Sequence, residues 1–254
     1  MTGQPITGRQ IRSAGLFHPK TLVYDGTPEE CVRALSGARI LAVSRRAKYI
    51  RITTDAPEIL IHLRMSGSLR CEPDAGELRP HDRMAFSFED GYRLVFNDVR
   101  KFGRVWVTAD PDAVLSGLGI EPLGEDFTAE WLAEKLAGQR RAIKAVLLDQ
   151  GVIAGIGNIY ADESLFDAGI LPMRAGGSLT AAECARLRES IRRTLLSAIE
   201  KGGSSFDWAY EGGRFQNEFR VYHRKGEPCF RCGTPIEKIT LAQRGTHFCP
   251  NCQA

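Results

Sequence analysis

The sequence predicts an α+β fold that ends in a small zinc-binding hairpin. Three observations support this prediction. Short strand-like runs fill residues 1–118, helical patterns dominate residues 128–218, and two Cys-x-x-Cys pairs lie near the carboxyl end. Strand-like runs come first along the chain and helical patterns follow, which is typical of an α+β protein.

The amino-terminal region is predicted to form a β-sandwich or barrel. Its apolar runs have strand length and are rich in β-branched and aromatic residues, and turn-forming residues separate them. The predicted strands cover residues 40–43, 49–52, 59–63, 84–88 and 92–96. One helix is expected at residues 27–35, because Thr27 suits an N-cap and Pro28 suits the first helical position.

The second half of the chain is predicted to be helical. Residues 119–127 are interpreted as an interdomain linker, because 119–124 have turn character and few apolar anchors. Apolar residues at helical spacing predict four helices, at residues 128–136, 141–149, 158–168 and 180–201. Residues 204–218 are polar, aromatic and Gly-rich, and are expected to form a mobile surface loop.

A glycine-lined turn precedes the third of these helices. Gly151, Gly155 and Gly157 lie just before Asn158, so backbone N–H groups at the helix start can bind a phosphate. A tight turn that only packs the helices is the alternative. The turn is not a nucleotide-binding loop of the Lys-Ser/Thr type, because neither pair follows the glycines.

Four cysteines near the carboxyl end have the spacing of a structural zinc site. Cys229 and Cys232 form one pair, Cys249 and Cys252 form the other, and sixteen residues separate the pairs. Two disulfides or four incidental thiols are the alternatives. The intervening segment is long enough for a β-hairpin, which we expect to present Arg244 to a polyanion; an ordinary solvated arginine is the alternative.

Composition narrows the class of protein without identifying a partner. The formal charge of +3 is too small to indicate nucleic acid, and 43% hydrophobic residues suffice for globular cores. Cys31, Cys71 and Cys184 are widely spaced, which fits a reducing compartment. No signal peptide and no apolar run of membrane-spanning length is present, so a soluble cytoplasmic monomer is expected.

Five sequence blocks in order resemble the formamidopyrimidine-DNA glycosylase and endonuclease VIII family, and more closely its formamidopyrimidine-DNA glycosylase branch. The blocks are Arg-Arg-Ala-Lys-Tyr at 45–49, His-Leu-Arg-Met-Ser-Gly-Ser-Leu at 62–69, Asn-Asp-Val-Arg-Lys-Phe-Gly at 97–103, Gly-Ile-Gly-Asn-Ile-Tyr-Ala-Asp-Glu-Ser at 155–164, and the segment from 221 into the zinc hairpin. The third block is slightly altered from the family's usual Asp-Pro-Arg-Arg-Phe-Gly.

The resemblance implies a bilobed DNA-repair enzyme. A β-sandwich lobe at 1–118 and a helix-two-turn-helix lobe at 128–218 would flank a DNA cleft, followed by a zinc finger at 219–254 with one structural Zn²⁺. Such enzymes are base-excision-repair glycosylases with abasic-site (AP) lyase activity. They remove oxidised purines such as 8-oxoguanine and formamidopyrimidines from double-stranded DNA, and this bacterial-type family would associate with the nucleoid.

The resemblance also assigns roles to individual residues. Met65, Arg100 and Phe102 match residues that fill the space left by a flipped base and wedge the duplex; by themselves Met65 and Phe102 would be read as core residues. The positions expected to bind phosphates around the lesion are Lys48, His81, Arg140, Lys144, Asn158 and Arg244.

Three of these assignments carry further detail. Lys48 and Arg244 are also expected to assist the elimination steps, and Arg140 could be exchanged with Arg141 by a one-residue shift in alignment. The loop at 204–218 matches the family's lesion-capping region. Its aromatic side chains, which would contact the flipped base or anchor the loop, are Phe206, Trp208, Tyr210 and Phe215.

One family feature is absent from the start of the sequence. The resemblance implies an N-terminal proline as nucleophile, followed by a glutamate, whereas this chain begins Met-Thr-Gly-Gln-Pro and Pro5 has an amide nitrogen. The expected explanation is a misassigned start codon. A catalytically inactive DNA-binding paralogue and an active variant that uses the Thr2 amine are the alternatives. An alternative that is not an enzyme is a zinc-ribbon adaptor that binds RNA or protein.

Overall fold

The computed structural model describes residues 5–204 and 212–254, and these form two compact units. Within the described residues, unit 1 ends at Ser116 and unit 2 begins at Gly117. No helix in the described ranges is both long enough and apolar enough to cross a membrane.

Unit 1 contains two β-sheets that share one apolar core, which confirms the predicted β-sandwich. One antiparallel sheet has four strands in the order β1-β7-β8-β6, and the other has five in the order β2-β9-β5-β4-β3. The strands are β1 (Ile11–Leu16), β2 (Leu22–Val23), β3 (Ile40–Arg46), β4 (Tyr49–Thr54), β5 (Glu58–His62), β6 (Gly67–Pro73), β7 (Asp82–Phe88), β8 (Tyr92–Asp98) and β9 (Arg104–Thr108).

The core of the sandwich explains the apolar runs in the sequence. Phe86 and Phe88 from the first sheet and Ile52 and Ile59 from the second lie in one buried cluster. The five predicted strands are present, whereas β1, β2, β6 and β9 were not predicted. β1 and β6 lack a clean alternation of buried and exposed residues, so their pairing with β7 and β8 decides their conformation.

The two short helices of unit 1 begin at capped positions. α1 (Pro28–Leu35) has a complete capping box, in which the Thr27 side chain accepts from the Glu30 N–H and the Glu30 carboxylate accepts from the Thr27 N–H. α2 (Pro111–Leu115) begins where the Asp110 carboxylate accepts from the Ala113 N–H. The helix predicted at residues 27–35 is confirmed.

Unit 2 is built from four helices around a second apolar core. They are α3 (Ala129–Leu136), α4 (Ile143–Leu148), α5 (Asn158–Ala168) and α6 (Ala181–Glu200). Thr128 caps α3, and Thr180 forms a capping box with Glu183 at the start of α6. The four predicted helices are therefore present, and Gly202 and Gly203, both at positive φ, end α6.

Residues 119–127 are anchored in unit 2, which corrects the expectation of a linker with few anchors. The Gly119 N–H donates to the Gln150 carbonyl at 2.8 Å, and Ile120 forms a parallel bridge with Ile153. A Cβ on Gly119 would lie 2.2 Å from the Val152 carbonyl oxygen, so glycine is required for close packing here. Phe127 is fully buried in the helical core.

The carboxyl-terminal hairpin contributes a third, smaller core. β10 (Glu237–Leu241) pairs antiparallel with β11 (Arg244–Phe248). Phe166 of α5 packs with Val221, Ile236 and two of the cysteines. A hairpin of this size needs such a support, because its own apolar surface is too small to fold alone.

The segment expected to be a mobile loop is ordered at its carboxyl end. Residues 215–218 form a 3₁₀ turn, and Phe215 is buried against Tyr160 and Phe219. Phe215 is therefore an anchor of the loop. Phe206, Trp208 and Tyr210 lie outside the described residues.

Candidate nucleic-acid interface

The four cysteines form a cluster with the dimensions of a tetrahedral metal site. Their sulfur atoms all lie within 4.8 Å of one another, with Cys229 to Cys252 at 3.9 Å and Cys232 to Cys249 at 3.5 Å. Four thiolates about 2.3 Å from a zinc ion would be roughly 3.8 Å apart. No cysteine forms a disulfide. A structural zinc therefore fits this donor set, as the sequence predicts.

Two adjacent loops of unit 1 present the residues predicted to wedge the duplex, here called the wedge residues: Met65, Arg100 and Phe102. Met65 is 53% exposed and Phe102 is 50% exposed, although both are large apolar side chains. The Arg100 guanidinium lies 5.0 Å from the centre of the Phe102 ring, within range of a cation–π contact. The core-packing alternative for Met65 and Phe102 is wrong.

A buried aspartate lies between the two wedge loops. Asp98, at the end of β8, is fully buried. Its carboxylate accepts from the Ser66 hydroxyl at 2.5 Å, the Arg100 N–H at 3.2 Å and the Gly103 N–H at 2.7 Å. Ser66 directly follows Met65, and Arg100 and Gly103 belong to the other wedge loop. The Asp98 side chain therefore bonds to both loops.

A neutral histidine supports the loop before Met65. The Arg64 N–H donates to His62 Nδ1 at 3.0 Å, and Arg64 has a positive φ of 56°. Burial first, and then the nearby cations Arg64 and Lys48, together lower the pKa of His62 to about 4. The ring therefore stays an acceptor at neutral pH, which the Arg64 N–H requires.

The other two predicted residues of unit 1 lie on exposed turns. Lys48 is in the β3–β4 turn, after Ala47 at a positive φ of 51°, and its side chain is exposed. His81 is exposed just before β7, and its carbonyl accepts from the Asp98 N–H at 3.0 Å. The bond to Asp98 places the His81 backbone beside the wedge loops.

In unit 2 the predicted residues converge on the start of β11. Arg244 is exposed at the first position of that strand. The next carbonyl, that of Gly245, accepts from Asn158 Nδ2 at 3.0 Å and from Lys144 Nζ at 2.9 Å. Asn158 is half-buried at the first position of α5, whose N-cap Gly157 provides no side-chain bond to the helix start.

Lys144 does not have the exposed position expected of a phosphate-binding lysine. Its side chain is 1% exposed, and its ammonium group contacts the Gly245 carbonyl, Thr246 Oγ1 at 2.8 Å and Asp162 Oδ1 at 2.6 Å. Two of its three N–H donors are used by Gly245 and Thr246, the third faces the Asp162 carboxylate, and the side chain has almost no exposed surface for a phosphate. The direct phosphate contact stays a prediction, whereas in this structure Lys144 joins α4 and α5 to the zinc hairpin.

Arg140 and Arg141, either of which could occupy the predicted phosphate-binding position, differ in their surroundings. Arg141 forms an ion pair with Asp149 at 2.8 Å and also bonds Gln139. Arg140 is exposed, and no bond from its side chain to another described residue is found. Arg140 therefore retains a guanidinium available to an external anion.

Sequence reasoning missed the acidic residues that support these positions. Asp162 accepts from the His247 N–H at 2.9 Å, and Glu163 accepts from three consecutive backbone N–H groups, those of Arg220, Val221 and Tyr222. Both are buried in α5. The available signal was a pair of adjacent acids within a helix whose neighbours are apolar.

Comparison with known proteins gives a consistent match along the whole chain. Residues 2–105 match the model of the formamidopyrimidine-DNA glycosylase N-terminal domain and 118–209 that of the formamidopyrimidine-DNA glycosylase H2TH domain. Residues 226–254 match a zinc finger found in FPG and IleRS.

Individual relatives and solved structures agree with these domain matches. A formamidopyrimidine-DNA glycosylase of Geobacillus kaustophilus is 43% identical over 98% of this chain and 93% of its own length. One from Chloroflexus aggregans is 48% identical over 89% and 85%. A Lactococcus lactis Fpg complex with Fapy-dG-containing DNA has a TM-score of 0.90 at 37% identity, and covers 98% of this chain and 94% of that one.

Proposed function

Because this chain belongs to the formamidopyrimidine-DNA glycosylase family, we propose that it removes oxidised purines from double-stranded DNA and nicks the resulting abasic site. The substrates would be 8-oxoguanine and formamidopyrimidines. Solved complexes of the similar Lactococcus lactis protein contain DNA with Fapy-dG and DNA with an abasic site. They supply the substrate class for this proposal.

The observation that carries the proposal is the exposure of the wedge residues on adjacent loops. Exposed apolar side chains that are grouped on adjacent loops mark a candidate interaction surface. Here the Arg100 guanidinium lies 5.0 Å from the centre of the exposed Phe102 ring. Exposed Met65 directly precedes Ser66, whose hydroxyl oxygen is 3.2 Å from the Arg100 backbone N–H. An apolar side chain and a ring can replace the stacking lost when a base leaves the duplex, and a guanidinium can bond the orphaned partner base.

The chemistry needs cations near the reacting sugar. After base removal, elimination expels a phosphate, so a positive charge beside that phosphate stabilises the leaving group. We assign this role to Lys48 and Arg244, which are exposed cations at the tips of two hairpins. His81, Arg140 and Asn158 would bind phosphates on either side of the lesion. Lys144 would support Gly245 and so the residue before it, Arg244.

Zinc would have a structural role in this reaction. The four sulfur ligands leave no open coordination position for water or substrate. Bound zinc would hold the β10–β11 hairpin in the conformation that exposes Arg244. The enzyme would act as a monomer in the cytoplasm, associated with the DNA of the nucleoid, because its partner is the duplex.

Borohydride trapping tests the enzymatic part of the proposal. The chain is incubated with duplex DNA containing 8-oxoguanine, and sodium borohydride reduces any Schiff base between protein and sugar to a stable adduct. We expect a covalent adduct together with strand cleavage, and peptide mapping of the adduct identifies the attacking amine. Tight binding to damaged DNA without adduct or cleavage would overturn the glycosylase assignment and leave a lesion-binding protein.

Arg100→Ala tests the recognition part. We expect discrimination among the four bases opposite the lesion to fall by about 1–3 kcal/mol, the range for a lost bidentate base contact. Lys101→Gln is the matched control, since it removes a neighbouring exposed cation and should lower affinity equally for all four duplexes. Unchanged discrimination in Arg100→Ala would count against the role of this residue.

A further inference from the structure

Asp98 joins the two wedge loops through a single carboxylate. Oδ1 accepts from the Ser66 hydroxyl and the Arg100 N–H, and Oδ2 accepts from the Gly103 N–H. The Ser66 hydroxyl oxygen is also 3.2 Å from the Arg100 N–H. The bonded groups therefore lie next to Met65, at Arg100 itself and next to Phe102, although residues 66 and 98 are 32 positions apart.

The backbone of Asp98 extends this arrangement to a fourth predicted DNA contact. Its N–H donates to the His81 carbonyl at 3.0 Å, and its carbonyl accepts from Arg83 Nε at 2.7 Å. One buried residue thus bonds directly to both wedge loops and to the segment of His81 and Arg83 at the start of β7.

Asp98 differs from the other buried aspartates of the described chain in that its carboxylate has no cationic partner. Asp82 pairs with Arg70 and Asp162 pairs with Lys144, whereas the carboxylate of Asp98 forms no ion pair with any described cation. Burying a charge without an opposite charge is costly unless hydrogen bonds compensate for the lost water. The three neutral donors supply that compensation, and all three are on the wedge loops.

The geometry requires a carboxylate at this position. A carboxylate accepts on both oxygens, whereas an asparagine amide accepts on one atom and donates from the other. In an asparagine variant the amide NH₂ would face either the Gly103 N–H or the Ser66 and Arg100 donors. One backbone N–H of the loop that carries Arg100 and Phe102 would then lose its acceptor, because an N–H group cannot accept from the amide as the Ser66 hydroxyl can.

We propose that Asp98 is the positioning residue that holds Met65, Arg100 and Phe102 in one insertion-ready arrangement before DNA binds. The wedge residues then enter the duplex as a unit, and the cost of ordering two separate loops is met during folding. This inference rests on the proposed function, since it concerns insertion into damaged DNA.

Asp98→Asn tests the proposal with a readout of insertion. Equilibrium affinity is measured for a duplex with a reduced abasic site, which the lyase reaction cannot open, and for the undamaged duplex. A 2-aminopurine beside the abasic site reports unstacking by its fluorescence. We expect Asp98→Asn to lower affinity for the abasic duplex about tenfold, equivalent to 1.4 kcal/mol, and to reduce the fluorescence change. Affinity for undamaged DNA should stay within about threefold.

A stability control separates positioning from general destabilisation. Val107→Ala creates a cavity in the core of the same unit, on β9 and away from the wedge loops. We expect it to lower the free energy of unfolding and to leave both affinities and the fluorescence change intact. An equal loss of insertion in Val107→Ala and Asp98→Asn would overturn the proposal.

Ser66→Ala keeps the test decisive if Asp98→Asn does not fold. It removes one donor from the same carboxylate and should reduce insertion in the same direction by a smaller factor. Normal insertion in a folded Asp98→Asn protein, or in Ser66→Ala where Asp98→Asn is unfolded, would overturn the positioning role. A wild-type chain with no preference for the abasic duplex would instead refute the proposed function itself.

Discussion

Units 1 and 2 both place predicted DNA contacts next to a buried aspartate, but the two aspartates are satisfied differently. In unit 1, Asp98 accepts from a hydroxyl and two backbone N–H groups. In unit 2, Asp162 forms an ion pair with buried Lys144 and accepts from the His247 N–H. The first arrangement uses neutral groups on the exposed loops, and the second uses a charge pair beside β11, whose first residue, Arg244, is exposed.

The difference determines what each surface depends on. The donors to Asp98 come from loops that β-strands of the sandwich support, so unit 1 needs no other module. Lys144 and Asp162 bond to Gly245, Thr246 and His247 of the hairpin. Unit 2 can therefore present Arg244 correctly only when the hairpin is folded, which in turn depends on zinc.

Zinc removal should give the largest effect. Cys249→Ser or chelation should unfold the β10–β11 hairpin, because structural zinc contributes about 10–16 kcal/mol to such modules, and affinity for damaged DNA should fall at least about a hundredfold. Metal content, DNA affinity and hydrogen exchange are measured together. The unit 1 strands should keep their protection, and Cys184→Ser, a buried cysteine outside the cluster, should retain zinc. Full affinity for damaged DNA in a metal-free protein would contradict the dependence of the unit 2 surface on zinc.

Lys144→Met should give the next largest effect. This substitution leaves Asp162 buried without its cation. We therefore expect the free energy of unfolding to fall by about 3–5 kcal/mol, the usual cost of breaking a buried ion pair. Burial lowers the pKa of Lys144 whereas Asp162 raises it, so the ammonium depends on its partner to stay charged. Urea unfolding measures the loss. The double variant Lys144→Met with Asp162→Asn should recover much of it, and a destabilisation equal to the sum of both single variants would argue against a coupled pair.

Acid should weaken unit 1 through His62. Its pKa falls from 6.5 to about 4 on folding, so the unfolded chain binds the proton more readily. The stabilisation is fully present above about pH 6.5 and is lost as pH falls towards 4. The effect should be about 1–2 kcal/mol after allowing for solvent screening of the partly exposed ring.

Urea unfolding across pH 4–7 measures this effect. His62→Asn provides an acceptor in place of Nδ1 and cannot be protonated in this range, so its unfolding free energy should vary less with pH. An identical pH dependence in both proteins would exclude His62 as the cause.

Arg140→Ala should give the smallest effect. Losing one phosphate contact should reduce the slope of log affinity against log salt by about 0.9, without changing preference for damaged DNA. Arg141→Ala is the matched variant, because Arg141 is already paired with Asp149, and its salt slope should change less. The reverse ranking would assign the phosphate contact to Arg141.

The sequence alone determined the features that depend on local spacing. Two Cys-x-x-Cys pairs predicted the metal cluster, and Thr27, Thr128 and Thr180 predicted three helix starts, because capping uses groups within three residues. The sequence blocks also identified Met65, Arg100 and Phe102 as exposed residues, against the usual rule that such apolar side chains are buried.

Only the tertiary structure decided the features that depend on long-range pairing. Lys144 bonds Thr246 across 102 positions, which turned an expected surface cation into a buried link. Pairing with the 149–154 turn likewise anchored a segment whose composition predicted a linker. The sequence does not reveal whether water or protein groups donate hydrogen bonds to a carboxylate such as Asp98. Only the fold brings its three donors together.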